Sequence, residues 1–197
     1  YEVTQGSILL NGEDIAEYDA TKRSLMGLFL AFQYPVEIPG VNNAEFLRMA
    51  YNAKQKHLGL PESDPLVFND FLNEKRKKLN IPESFLDREL NFGFSGGEKK
   101  RNEILQLAVL NPAVAVLDET DSGLDIDALK QVSDAVNHLK NEDNSFLLIT
   151  HYQRLLDYIT PDYVHIMVDG KIVQTGDESL AKELDQNGYD HLLNARA

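Results

Sequence analysis

The sequence predicts an α/β fold: a mainly parallel sheet with a small antiparallel part and an inserted helical lobe. Three observations carry that prediction. Residues 95–197 alternate short apolar runs with segments of helical period, as strands joined by crossover helices do. Asp169-Gly170 separates two strand-like runs, which marks a tight hairpin. Residues 34–94 carry helical spacing with no strand-like alternation.

The elements follow in chain order. Residues 7–10 read as a short strand closed by Asn11-Gly12, a strong turn signal, and residues 26–32 form an apolar strand-like run. Pro35 and Pro39-Gly40 then break regular structure at the entrance to the helical zone. Phe46, Met49, Ala50 and Ala53 mark one helix there, and Phe68, Phe71, Leu72 and Leu79 mark a second. Asp64-Pro65 is a start signal for the second, with an N-cap followed by proline at the first helical position. Beyond this lobe, residues 114–117 read as a buried strand and residues 146–150 as another. Leu129, Val132, Val136 and Leu139 mark the helix between them. Residues 163–168 and 172–175 form the hairpin, and Asp177 can cap a last helix that ends near Gly188. The division expected is one domain over 1–197, with a helical subdomain over 34–94 and a catalytic core half over 95–197.

Composition narrows the function classes. Of 197 residues, 43% are hydrophobic and 26% charged, the balance of a chain that buries a core. No apolar run is long enough to span a bilayer, so direct membrane insertion is not expected. The net charge of −13 disfavours nucleic acid as a partner. The basic run Lys75, Arg76, Lys77 and Lys78 would spread around a helix and reads as a solvated face. There is no cysteine, hence no disulfide framework and no thiolate metal site.

The chemistry concentrates in two stretches. Val114-Ala115-Val116-Leu117 places a strand inside the sheet, and Asp118-Glu119 emerge at its carboxyl end, where open α/β sheets bind ligands. Asp118 is placed to hold Mg²⁺ through water, and Glu119 to orient or deprotonate an attacking water. Just upstream, Ser95-Gly96-Gly97-Glu98 precedes an apolar helix. Ser95 and Glu98 have the spacing of a capping box. Two glycines in a first turn each cost about 1 kcal/mol against alanine, and they let a phosphate approach the bare N–H groups at the helix start. Capping and anion binding are compatible readings.

Taken in order, Gln33, Ser95-Gly96-Gly97-Glu98, Leu117-Asp118-Glu119, Ser122-Gly123-Leu124-Asp125 and Thr150-His151 resemble the motifs of an ATP-binding-cassette (ABC) ATPase. They match the Q-loop, signature, Walker B strand, D-loop and switch histidine. Each keeps a plainer alternative: Asp125 can cap the following helix, His151 can be a structural histidine, and Gln33 can simply end a strand. Lys99 and Lys100 read as a solvated first turn, or else one of them pairs with Glu119 in a resting monomer. Residues 29–41 and 97–106 are similar to the soluble ABC ATPases of the SUF iron–sulfur assembly system, as are Leu180-Ala181-Lys182-Glu183-Leu184 and Gly188-Tyr189-Asp190. Thr120-Asp121-Ser122-Gly123 departs from the wording usual in transporter subunits.

The resemblance implies ATP and Mg²⁺ as ligands, with Glu119 and His151 catalytic and Asp118 and Gln33 at the metal. Gln33, Ser95, Gly96, Gly97, Glu98 and Asp125 would contact nucleotide, with Ser95, Gly96 and Gly97 acting across a transient head-to-tail homodimer. It implies SufB/SufD-type scaffold proteins as partners, in cytoplasm or plastid stroma. A transporter nucleotide-binding subunit and a non-catalytic interaction module are the competing readings. No G-x-x-x-x-G-K-[ST] occurs among the 197 residues. In the family that loop precedes the position occupied here by Tyr1, so the chain is expected to be incomplete at its N-terminus. By itself it would lack the first core strand and the phosphate loop, and would be inactive.

Overall fold

A computed structural model describes residues 3–151 and 153–188. Its first half runs β1 (Leu9–Leu10), β2 (Glu13–Asp14), α1 (Ala20–Leu25), β3 (Leu28–Ala31), β4 (Ile38–Asn42), α2 (Asn43–His57), α3 (Pro65–Lys78), α4 (Ser84–Asp87) and β5 (Glu89–Leu90). The second half runs α5 (Gly96–Leu110), β6 (Val114–Asp118), α6 (Ile126–Leu139), β7 (Ser145–Ile149), β8 (Val164–Val168), β9 (Lys171–Gly176) and α7 (Glu178–Asn187). The expected Tyr1 and Tyr189-Asp190 features lie outside the described residues.

Local chemistry sets most of these boundaries. Asp19, Asn42, Asp64, Ser95, Asp125 and Asp177 each turn a side-chain oxygen onto a bare N–H of the helix that follows. Asn11-Gly12 and Asp169-Gly170 both adopt positive φ, which lets the β1–β2 and β8–β9 hairpins close.

Strands β3, β6 and β7 form a parallel sheet with β6 in the centre. Helices α5 and α6 cover one face, where Ile104, Leu107, Leu129, Val132 and Val136 bury against Phe29, Ala31, Ala115 and Leu117. A second core joins α2, α3 and α4 through Leu47, Phe68, Leu72 and Phe85, and α5 enters it with Leu105 and Val109. Helix α5 therefore carries apolar residues for two cores at once. Between them, the buried Asn102 amide donates to Asn91 at 2.8 Å and accepts from Asn43 at 2.7 Å. These bonds give a polar group inside the fold its partners.

Several expectations need correction. Residues 145–149 do form a strand, but it alternates exposed and half-buried positions and among the described residues pairs with β6 alone, so it is not buried. Its outer face leaves Leu147 and Ile149 open, together with Leu30 of β3. Pro39 and Gly40 do not interrupt regular structure: they lie within β4, which pairs antiparallel with β5 through a register shift between Ile38 and Asn42. An irregular pairing is where a residue without an N–H and a glycine at φ +79 fit a strand. Arg76 is not on a solvated face; it is buried, and its guanidinium bonds Asn73 and Glu83. Two short helices, α1 and α4, had no counterpart in the periodicity. Among the described residues no helix is long and apolar enough to cross a membrane.

Candidate functional site

Strands β3 and β6 run parallel and in register, Ala31 beside Leu117, so the residues leaving their carboxyl ends emerge together. Gln33 donates from Nε2 to Glu119 Oε2 at 2.6 Å. From the end of β7, His151 places Nδ1 3.5 Å from the other carboxylate oxygen of Glu119. Asp118 closes β6 beside Ile149. Gln33, Glu119 and His151, three of the residues singled out by sequence, thus meet at one point of the sheet edge.

Glu119 is held in an unusual backbone conformation. Its φ is +44, in the left-handed region, which costs a non-glycine residue about 1–3 kcal/mol. The strand next to it holds this conformation: the Glu119 N–H donates to the Ile149 carbonyl at 2.9 Å. The carboxylate itself is directed by the Gln33 amide on one oxygen and faces His151 with the other.

The other group gathers at the start of α5. Ser95 Oγ accepts the Glu98 N–H and the Glu98 carboxylate accepts the Ser95 N–H, so the capping box is complete. That second bond, with Arg88 Nη1 at 3.0 Å, holds the Glu98 carboxyl below the usual range. A side chain on Gly96 would meet nothing within 4 Å, and one on Gly97 would reach only Leu124 and Ala128 at 3.8 and 3.9 Å. The glycines are therefore not required by crowding. Asp125 accepts the Ala128 N–H at 2.7 Å and caps α6, its plainer role. The side-chain bonds of Ser95 and Glu98 are to each other and to Arg88, and they do not join the Gln33–Glu119–His151 group.

Lys100 is not solvated, and its contacts are with Phe32 and Glu103 instead of Glu119. The side chain is buried; Nζ donates to the Phe32 carbonyl and lies 3.8 Å from Glu103 Oε2. Burial lowers its pKa, against the pull of Glu103, Asp118, Asp121 and Glu119. Glu103 is pushed up to about 7 by burial, although the Phe32 N–H and the Lys100 charge favour its ionised form. Lys99 pairs with Glu37.

Sequence reasoning missed this pair, because Lys100 reads as a solvated residue of the first turn and Glu103, three residues further on, is charged like a surface residue. It also missed the bond from Thr150 Oγ1 to Asp121 Oδ2, 2.6 Å, which ties the segment after Glu119 to the residue before His151. Neither has a local signal: their partners lie 68, 71 and 29 residues away.

The donor set fits a magnesium nucleotide. No group of three or more acidic or histidine residues gathers as a metal cage among the described residues. Mg²⁺ at phosphate sites needs only one or two protein oxygens, the rest coming from phosphate and water. Asp118 and the Gln33 carbonyl oxygen, left over when Nε2 faces Glu119, are oxygens of that type.

A fold with this edge, a strand ending in Asp-Glu and a Gly-Gly helix start together define an ABC-type nucleotide-binding cassette. The family model described as "ABC transporter" matches residues 1–122. The chain belongs to the ABC ATPase family, and within it the chain is SufC-like. It is 53% identical over 192 residues to the probable ATP-dependent transporter SufC of Escherichia coli, covering 98% of this chain and 77% of that protein. Identity is 59% to the probable ATP-dependent transporter slr0075 of Synechocystis, over 98% of this chain and 75% of the relative. It is 57% to the chloroplastic ABC transporter I family member 6 of Arabidopsis thaliana, over 96% and 56%. Among solved structures, the dimeric post-hydrolysis state of the cassette MJ0796 bound to ADP and Pi superposes with a TM-score of 0.73. That match is at 17% identity, over 89% of this chain and 74% of the other, and it speaks to the fold alone.

Proposed function

We propose that this chain belongs to the energy-coupling ATPase of a SUF-type iron–sulfur cluster assembly complex. The observation that carries the hydrolytic reading is the meeting of Gln33, Glu119 and His151 at the carboxyl edge of the sheet. Glu119 takes a proton from water as the water oxygen bonds to the γ-phosphorus and the bond to the β–γ bridging oxygen breaks. His151 donates a hydrogen bond to the γ-phosphate, Gln33 orients Glu119 and the attacking water, and Asp118 would hold Mg²⁺ through water. Ser95, Gly96 and Gly97 face the nucleotide of a second copy, with the α5 dipole favouring its phosphates, and Asp125 lies at the contact between copies.

In this reading residues 34–94 form the lobe that grips a SufB/SufD-type scaffold, and 95–197 the catalytic half. The similarity to SufC and the wording of residues 29–41 support it. Cytoplasm or plastid stroma fits, the latter by likeness to a chloroplastic relative. The experiment is co-expression of the full-length gene product with SufB and SufD. A complex whose ATP hydrolysis exceeds that of the ATPase alone is expected, and absence of co-elution removes the SUF assignment. A transporter subunit is the second reading, favoured by the names of the relatives; co-purification with integral membrane subunits would establish it.

A further inference from the structure

We infer that Glu103 is a positioning residue for Gln33: its carboxylate, buried on α5, holds the Phe32 peptide and so sets where the Gln33 amide meets Glu119. The inference rests on the proposed roles of Gln33 and Glu119 in hydrolysis.

Phe32 is the first residue beyond β3. The ladder to β6 ends at Ala31 and Leu117, so the sheet no longer defines the backbone there. Helix α5 takes over. The Phe32 N–H donates to Glu103 Oε1 at 2.8 Å, and the Phe32 carbonyl accepts from Lys100 Nζ. Glu103 and Lys100 are only 3% and 4% exposed, and a spacing of three residues puts them on one face of the helix. The next residue is Gln33, whose amide stands 2.6 Å from Glu119.

Stability alone does not account for a carboxylate in this place. Burying an ion pair is often no better than burying an apolar residue of similar volume. Glu103 also leaves Oε2 without a hydrogen-bond partner, while Oε1 is spent on the Phe32 N–H. What the carboxylate does secure is the peptide next to Gln33. A displacement of about 1 Å there is enough to carry a side chain out of productive geometry. Helix α5 also begins with Gly96 and Gly97. One rigid helix therefore carries both the motif that faces the neighbouring copy and the group that sets Gln33 in its own site.

The test uses the full-length protein with Glu103→Leu, which keeps apolar volume and removes the acceptor, and Glu103→Gln, which keeps an oxygen for the Phe32 N–H. Glu103→Leu is expected to lower kcat about tenfold with KM for ATP little changed, the loss of one buried charge-assisted hydrogen bond. Glu103→Gln should recover most of that loss. In a Gln33→Ala background Glu103→Leu should cost nothing further, because its effect runs through Gln33. A loss of equal size in both backgrounds, or no loss in either, overturns the inference. Hydrogen exchange without nucleotide gives a reading independent of turnover: Glu103→Leu should speed exchange at Phe32 and Gln33 and leave Phe29 and Ala31 protected. Unchanged exchange at Phe32 also overturns it. If Glu103→Leu does not fold, Glu103→Ala serves for the same comparisons. Failure of the hydrolytic reading would look different, as normal turnover in Glu119→Gln with the exchange effect intact.

Discussion

Gln33 and Glu119, 86 residues apart in sequence, are joined by a 2.6 Å hydrogen bond between the side-chain amide and the carboxylate. The bond exists because β3 and β6 are parallel neighbours whose last residues stand side by side. It also crosses a boundary in the chain, since Gln33 leads into the helical zone while Glu119 leaves the central strand.

Replacing Glu119 by glutamine keeps an oxygen that can accept from Gln33 and removes the base. In the full-length protein, Glu119→Gln is expected to lower ATP turnover by at least about 100-fold, with ATP binding and the unfolding midpoint close to those of the parent. Single-turnover hydrolysis and equilibrium nucleotide binding measure the two effects separately. Turnover within a few-fold of the parent removes Glu119 as the base.

Gly96 separates fold from function. A methyl there meets nothing within 4 Å, and alanine is favoured over glycine in a helix by about 1 kcal/mol. Gly96→Ala should leave stability equal or slightly raised while lowering hydrolysis by more than about tenfold, because in the proposed reading the methyl stands where a phosphate approaches the helix start. Urea unfolding alongside an ATPase assay distinguishes this from a purely structural glycine, whose replacement would leave hydrolysis unchanged.

His151 has a half-exposed side chain, so its removal should cost little stability. His151→Ala is expected to lower turnover about 100-fold through loss of the proposed contact to the γ-phosphate, with a melting temperature near that of the parent. A melting temperature that falls together with activity would assign the residue to the fold.

What the sequence showed in advance, and what it hid, follows from distance along the chain. The capping box of Ser95 and Glu98, the caps at Asp64, Asp125 and Asp177, and the Asn11-Gly12 and Asp169-Gly170 turns all act within a few residues. Their chemistry is therefore local and readable. The motif residues were readable because their order along the chain is itself a pattern. Strand β4 was hidden because its partner, β5, is two residues long and lies beyond three helices. Burial of Lys100 and Glu103 was hidden for a similar reason: only the arrival of Phe32 against α5 turns an apparently wet helix face into the interior.

The same pair gives stability a definite dependence on pH. The folded-state pKa of Glu103 is pushed up to about 7 from an ordinary 4.5, chiefly by burial. The folded protein thus holds a proton that the unfolded chain has lost between those values, and stability falls as pH rises through the window. The contribution is greatest below 4.5, declines up to about 7 and is flat above. Its full size is about 3 kcal/mol, since a tenfold change in an ionisation constant is worth about 1.36 kcal/mol. Glu98 has the opposite sign, because its pKa is lowered, but its contribution is lost only as pH falls below the ordinary carboxylate range. Urea unfolding at about pH 5.5 and about pH 8 should show the parent less stable at the higher pH. Glu103→Gln should flatten that difference, because the group that titrates is gone while Lys100, Asp118, Asp121 and Glu119 remain. An identical slope in parent and variant would assign the pH dependence to other groups.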